Sequence, residues 1–382
     1  MKAERLTFDL FGNRVIETPD TEGIKYTGSK KKLLPHIIDI IINKTNSRTI
    51  LDGFSGSTRV SQALAKLGYD IISNDISVWS RVFGTCYLLN NQPRKFYKEL
   101  ITELNNTKPI DGWFSQYYGG FPNGGSAVQK DGLKRPWQIH NTRKLDGIRE
   151  KIDQLRLSEV EKAICLTSLI LALDKVDSTL GHYVAYLREW SPRSYYNLNL
   201  EIPKVFVSNE NHMVTSEDAF SVASKNVDLA YYDPPYGSNN DKMPPSRVRY
   251  ASYYHLWTTI CLNDKPKLFG KSMRRNDSSD KVSGSVFEEF RRNSETGRFI
   301  AVEAIERLIR HTSAKWILLS YSSTSRGTAE ELNEILNENC SVVEVRKINY
   351  KRNVMANMKS TNEWIKETQN KNQEFLFLLN KG

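Results

Sequence analysis

Asp233-Pro234-Pro235-Tyr236 follows an apolar run, Val227 to Tyr232, and holds the residue types needed to work on an aromatic amine. The lone pair of such an amine is delocalised into its ring, so it attacks an electrophile poorly. Two acceptors set on its hydrogens favour the tetrahedral geometry of attack and stabilise the positive charge that develops on nitrogen. The Asp233 carboxylate supplies one acceptor. The Pro234 carbonyl can supply the second, because proline has a C=O and no N–H to turn toward a substrate. Pro234 and Pro235 fix φ, which holds both acceptors before reaction begins. Tyr236 offers a flat face to a base drawn out of a duplex; such stacking is worth about 1–3 kcal/mol per base, against a few for extrusion. A methyl group on a sulfonium needs no further activation, so the remaining demand is alignment for in-line attack. Taken alone, the tetrapeptide also reads as a proline-rich turn capped by its Asp.

A second constellation, Asp52-Gly53-Phe54-Ser55-Gly56-Ser57, sits between a strand pattern and a helix pattern. Ligands of open α/β sheets bind at such turns, where glycines admit close backbone approach and a helix start offers free N–H groups. Asp75 ends the next strand pattern, 23 residues after Asp52, a common place for a carboxylate that accepts from ribose hydroxyls. The turn is neither GxGxxG nor a P-loop, and Asp52 would repel a pyrophosphate. It suits instead the ammonium of a methionine-type ligand. A generic strand–helix turn is the alternative reading of these residues alone.

The elements that must position these groups alternate. Thr49 to Leu51 reads as a strand, Thr58 to Leu67 as a helix stopped by Gly68, and Tyr69 to Ser73 as a parallel second strand. Further on, Lys204 to Ser208, Val227 to Tyr232 and Lys315 to Tyr321 read as strands, with helices over Arg298 to His311 and Ala329 to Leu336. Ser341 to Lys347 and Glu374 to Leu379 read as a closing antiparallel edge pair. The pattern is a doubly wound, Rossmann-like α/β sheet. It divides into a polar leader (1–24), a first half (25–95), an insertion (96–203) and a second half (204–382). The insertion is mainly helical, over Ile139–Leu155 and Ser158–Lys175, with a Gly/Pro-rich aromatic stretch at 111–126.

The 382 residues are 39% hydrophobic and 26% charged, an ordinary composition able to bury a core. No apolar run approaches the ~20 residues of a membrane span, and Met1 to Asp20 lacks a signal-peptide core, so a cytoplasmic location is expected. Cys86, Cys165, Cys261 and Cys340 are far apart with no CxxC pair, which argues against a disulfide framework and against a metal site. Lys and Arg outnumber Asp and Glu by 54 to 44, a balance that suits a polyanionic partner such as nucleic acid.

In this order the pieces resemble the Dam-like, alpha-group family of N6-adenine DNA methyltransferases. Lys25-Tyr26-Thr27-Gly28-Ser29-Lys30 is similar to that family's N-terminal cofactor motif, and Asp52 to Ser57 to its cofactor loop. Asp75 takes the ribose-binding position, Ser216-Glu217-Asp218-Ala219-Phe220 resembles the motif whose Asp contacts the cofactor adenine, and Asp233 to Tyr236 matches the catalytic tetrapeptide. The resemblance implies S-adenosyl-L-methionine as cofactor, held by Tyr26, Gly28, Lys30, Asp52, Gly53, Phe54, Ser55, Gly56, Asp75 and Asp218. It implies methyl transfer to a flipped adenine of double-stranded DNA, a sheet with a reversed last strand, and target recognition by the insertion. A restriction–modification role, with a cognate endonuclease on a separate chain, fits that family. The loop DGFSGS and the tail Gly237-Ser238-Asn239-Asn240 depart from the better-known forms.

Within the insertion, Lys134, Arg135, Arg143, Lys144, Arg149, Arg188 and Arg193 read equally as DNA contacts or as a solvated face. Trp113, Tyr117, Trp137 and Trp190 read first as core. Tyr253, Tyr254 and Trp257 read as a helix face against the sheet. Two other readings stand beside the main one: the same chemistry on cytosine N4, RNA adenine or a protein glutamine, and a non-catalytic DNA-binding specificity module.

Overall fold

The apolar runs pair into one seven-stranded mixed sheet. The computed structural model describes residues 17–209, 211–235, 249–279, 281–322, 325, 327, 329–349 and 373–382, with the short strands Thr7–Phe8 and Arg14–Val15. The sheet strands are β1 (Thr49–Asp52), β2 (Asp70–Asn74), β3 (Met213–Thr215), β4 (Leu229–Tyr232), β5 (Trp316–Ser322), β6 (Ser341–Asn349) and β7 (Gln373–Asn380). Their order is β6-β7-β5-β4-β1-β2-β3. β5, β4, β1, β2 and β3 pair in parallel, whereas β7 runs antiparallel to both β5 and β6. The chain leaves β1 in one direction to build β2 and β3, then returns to lay β4 on its other side. The carboxyl ends of β1 and β4 therefore flank the point where strand order reverses, the usual place for a ligand crevice.

Helices cover both faces. On one, α1 (Leu34–Lys44) buries Leu34, Ile37, Ile38, Ile40 and Ile41, a helical repeat introduced by Pro35 in its first turn, and α2 (Arg59–Lys66) adds Val60 and Leu64. On the other, the helix Ile300–His311 seats Val302, Ile305 and Leu308 over Tyr232, Leu319 and Phe377.

A third apolar cluster joins α3 (Val78–Leu88) to the 96–203 segment. That segment supplies α4 (Ile139–Gln154) and α5 (Glu159–Lys175), and α5 opens with a reciprocal Ser158–Glu161 capping box. Trp137 and Trp190 are buried, as a core reading requires. The face of Tyr254 and Trp257, on and beside the helix α6 (His255–Leu262), packs against α3 and α5 instead of the sheet. Arg149 is neither a solvated nor a DNA-facing residue: it is buried, and its guanidinium donates to the Ile260 and Cys261 carbonyls at the end of α6 and pairs with Asp153 at 2.8 Å. Those carbonyls have no intrahelical partner, so a cation fits there.

No strand forms over Lys204 to Ser208. Its backbone groups are taken by loop partners: Lys204 N–H by Glu22, Val205 N–H by Pro203 O, Ser208 N–H by Asn90 O, and Phe206 O by Asn90 Nδ2. The sheet edge is made by Met213–Thr215 instead. Arg149→Ala should cost about 2–4 kcal/mol in urea unfolding, because it takes the buried donor from two helix-end carbonyls and leaves Asp153 with only Lys162 and Asn263.

Candidate active site

Register sets the two acidic turns side by side. Asp52 lies opposite Tyr231, and Gly53 N–H donates to Tyr231 O at 3.0 Å, so Asp233 emerges two residues beyond that pair. Between these turns opens a cleft of about 630 Å³. Its walls include Tyr26, Gly28, Lys30, Asp52, Gly53, Phe54, Ser55, Gly56, Asp75 and Asp218 together with Asp233 and Pro235. Pro234 is buried behind the wall. Tyr236 and the Gly237–Asn240 tail lie outside the described residues.

The turn after β1 is tied down by its neighbours. Ser55 N–H donates to Asn74 O, and the Asp75 carboxylate accepts from Gly56 N–H at 2.9 Å and Ser77 N–H at 2.8 Å. Burial nonetheless raises the Asp75 pKa, the hydrogen bonds opposing it. Gly56 sits at φ +47°, and a Cβ there would stand 3.0 Å from the Tyr26 hydroxyl, so the turn needs glycine on both counts. Asp52 is 1% exposed; Oδ2 accepts from Ser61 Oγ at 2.6 Å, and Oδ1 is buried with no partner. Burial, opposed by the Ser61 bond and aided by Asp233 and Asp75, pushes its carboxyl up to about 7.

The Tyr26–Lys30 segment is positioned from the end of α5 and from Tyr254 beside α6. Lys25 N–H donates to Asp174 at 3.0 Å, its ammonium pairs with Asp177 at 2.7 Å, and Thr27 N–H donates to the Tyr254 hydroxyl at 2.7 Å. These contacts press the Tyr26 ring against Tyr254, Trp79 and Tyr250, at centroid distances of 4.9, 5.6 and 5.6 Å. Gly28, at φ +92°, leaves room for the Tyr250 hydroxyl, which a Cβ would meet at 2.9 Å.

Lys30 does more than line the cleft. It is 6% exposed, and its ammonium lies 2.8 Å from Asp233 Oδ1 and 3.3 Å from Gly28 O. Lys31 and Lys32 are exposed. Asp218 sits at the rim, where Oδ1 caps a short helix by accepting from Phe220 N–H at 2.9 Å. Phe54 packs edge-on to Tyr232 and Phe287, and Phe220 stacks on Phe287 at 5.5 Å.

The segment holding Val282, Ser285, Phe287 and Glu288 also lines the cleft and has no counterpart among the residues singled out from sequence. Its one legible signal is Phe287, an aromatic within a polar, acidic run. Among the described residues no group of three His, Cys, Asp or Glu could hold a metal ion, and no helix is long and apolar enough to cross a membrane.

This cleft at the switch point of a mixed sheet is compatible with a methyltransferase fold. The sequence model of the D12 class N6 adenine-specific DNA methyltransferases matches residues 26–335, and the chain belongs to that family. It is 28% identical over 359 residues to modification methylase StsI of Streptococcus sanguinis, covering 89% of this chain and 50% of that protein. It is 29% identical to modification methylase LlaI of Lactococcus lactis over 81% of this chain and 48% of that one. With type II methyltransferase M2.HphI of Haemophilus parahaemolyticus it shares 25% identity over 95% and 99%. The chain thus spans about half the length of StsI and LlaI and nearly all of M2.HphI.

The raised Asp52 carboxyl has a measurable sign. Its neutral form favours the folded chain fully below 3.8, and that contribution is lost as pH rises through about 7. Asp52→Asn should therefore raise the melting temperature more at pH 8 than at pH 5, as read by calorimetry.

Proposed function

We propose that this chain is a site-specific DNA adenine methyltransferase that transfers a methyl group from S-adenosyl-L-methionine to the N6 amine of an adenine flipped out of double-stranded DNA. The observation that carries the reading is the shared cleft. Asp52 and Asp233, 181 residues apart, face one cavity from adjacent strand ends.

The cofactor suits the residues present. The orphan Asp52 Oδ1 is an acceptor for an ammonium; Asp75 is tied by backbone N–H groups in a way that aims its remaining lone pairs at ribose hydroxyls; and Asp218, Phe54 and Phe220 offer a polar rim and flat walls for a purine. When bound, S-adenosyl-L-methionine supplies an electrophilic methyl group. The rest is work for the chain. Asp233 accepts one N6 hydrogen and the Pro234 carbonyl the other, which raises the electron density on nitrogen as it attacks. Lys30 fixes the rotation of the Asp233 carboxylate until the substrate amine arrives. Asp233 then takes the proton that the methylated amine must lose. Tyr236, in this reading, stacks on the flipped base, and Pro235 stiffens the turn between them.

The finer architecture belongs to the same proposal. Residues 25–95 and 204–382 form the cofactor-binding and catalytic halves of one methyltransferase domain, β7 is its reversed strand, and 96–203 is a mainly helical target-recognition insertion. StsI and LlaI are named modification methylases. We extend that role to this chain, with a cognate restriction endonuclease as a separate partner.

Incubation with labelled S-adenosyl-L-methionine and mixed-sequence duplex DNA should yield N6-methyladenine on nucleoside analysis; N4-methylcytosine, or cofactor binding without base methylation, defeats the reading. Asp233→Asn should lower kcat by about 100- to 1,000-fold with cofactor affinity nearly unchanged by calorimetry.

A further inference from the structure

Glu288 is a carboxylate with no part in the reaction as derived, yet it is 3% exposed and borders the cleft. A buried carboxylate is costly unless its partners use it. Its partners stand 38 and 39 residues earlier in the sequence. Oε1 accepts from Tyr250 N–H at 3.3 Å, and Oε2 lies 3.5 Å from Arg249 Nη1. Arg249 is itself 12% exposed, and its Nε has no partner among the described residues. Glu288 is therefore the charge that allows Arg249 to sit inside. Tyr250 lines the cleft close enough to Asp233 to feel its charge, and its ring leans on Tyr26 with its hydroxyl over Gly28.

The residue before it faces the other end of the cleft. Phe287 stacks on Phe220 and meets Phe54 edge-on at 5.2 Å. Two consecutive side chains thus grip two regions: Phe287 the wall beside the glycine turn, Glu288 the wall beside Asp233. Burial raises the Glu288 carboxyl, with Arg249 and the Tyr250 amide opposing.

We propose that Glu288 is a positioning residue for methyl transfer: its clamp on Arg249 and the Tyr250 amide sets the target-side wall of the cleft against the cofactor-side wall. The proposal rests on the adenine methyltransferase reading given above. It predicts damage on the DNA side that spares the cofactor.

The test uses the full chain with S-adenosyl-L-methionine and duplex DNA. Glu288→Gln keeps an acceptor for Tyr250 N–H but removes the charge from Arg249. It should lower kcat/KM for DNA by about 30-fold or more, leave the cofactor Kd within about threefold by calorimetry, and keep a cooperative thermal melt. Glu288→Asp should recover part of the loss. Adding Arg249→Met to Glu288→Gln removes the unpaired cation but not the missing clamp, so the double variant should stay impaired. Recovery of wild-type kcat/KM by the double variant overturns the proposal, because Glu288 then only neutralises Arg249. So does Glu288→Gln with kcat/KM within threefold of wild type, or with cofactor affinity falling in step. Each of these leaves the enzyme reading standing, since wild-type turnover is measured alongside; a wild-type chain that methylates no adenine overturns both.

Discussion

Three carboxylates converge on one cleft, and holding them there side by side and out of water is the constraint the rest of the structure has to meet. Asp52, Asp75 and Asp233 come from the ends of neighbouring strands, and each is handled differently. Asp75 is paired with two backbone N–H groups. Asp233 is paired with the buried Lys30 ammonium. Asp52 is left with an open oxygen, and burial, aided by the neighbouring Asp233 and Asp75, drives its carboxyl up toward neutrality. A cleft of this kind is incomplete as an electrostatic object, and a cationic ligand is what completes it.

Holding Lys30 in place draws in the remainder of the chain. The segment before it is anchored by Asp174 and Asp177 at the end of α5 and by Tyr254 beside α6. Those helices are fixed in turn by a core running from Trp79 and Phe83 through Leu145 and Leu169 to Trp257, and by Arg149 at the end of α6. Helices α4 and α5 are therefore part of the scaffold that places the Lys30 charge beside Asp233.

Much of this was legible in the sequence because period and punctuation agree there. Thr49 to Asp75 shows a strand, a glycine turn, a helix and a carboxylate at the next strand end, and each is found in its place. Ser341 to Lys347 and Glu374 to Leu379 read correctly as antiparallel neighbours. Lys204 to Ser208 misled because loop partners claim several of the backbone groups that a ladder would need, and which loops would do so is not a local property. Lys30 was assigned to the cofactor side by resemblance; its ion pair with Asp233 spans 203 residues of sequence and shows in no spacing. Glu288 and Phe287 escaped for the same reason, their meaning residing wholly in partners far along the chain.

The placement of β7 bears on how the chain is made. β6 touches the sheet only through β7, and β7 alone covers the outer flank of β5. During translation, β6 thus leaves the ribosome with nowhere to dock, and β5 presents an open edge until some 50 further residues have emerged. Exposed strand edges invite pairing with other chains. A nascent chain of this design is vulnerable for the seconds that those residues require at ribosomal speeds of about 5–20 residues per second. A chaperone that shields β5 over that interval would protect yield without touching the finished fold.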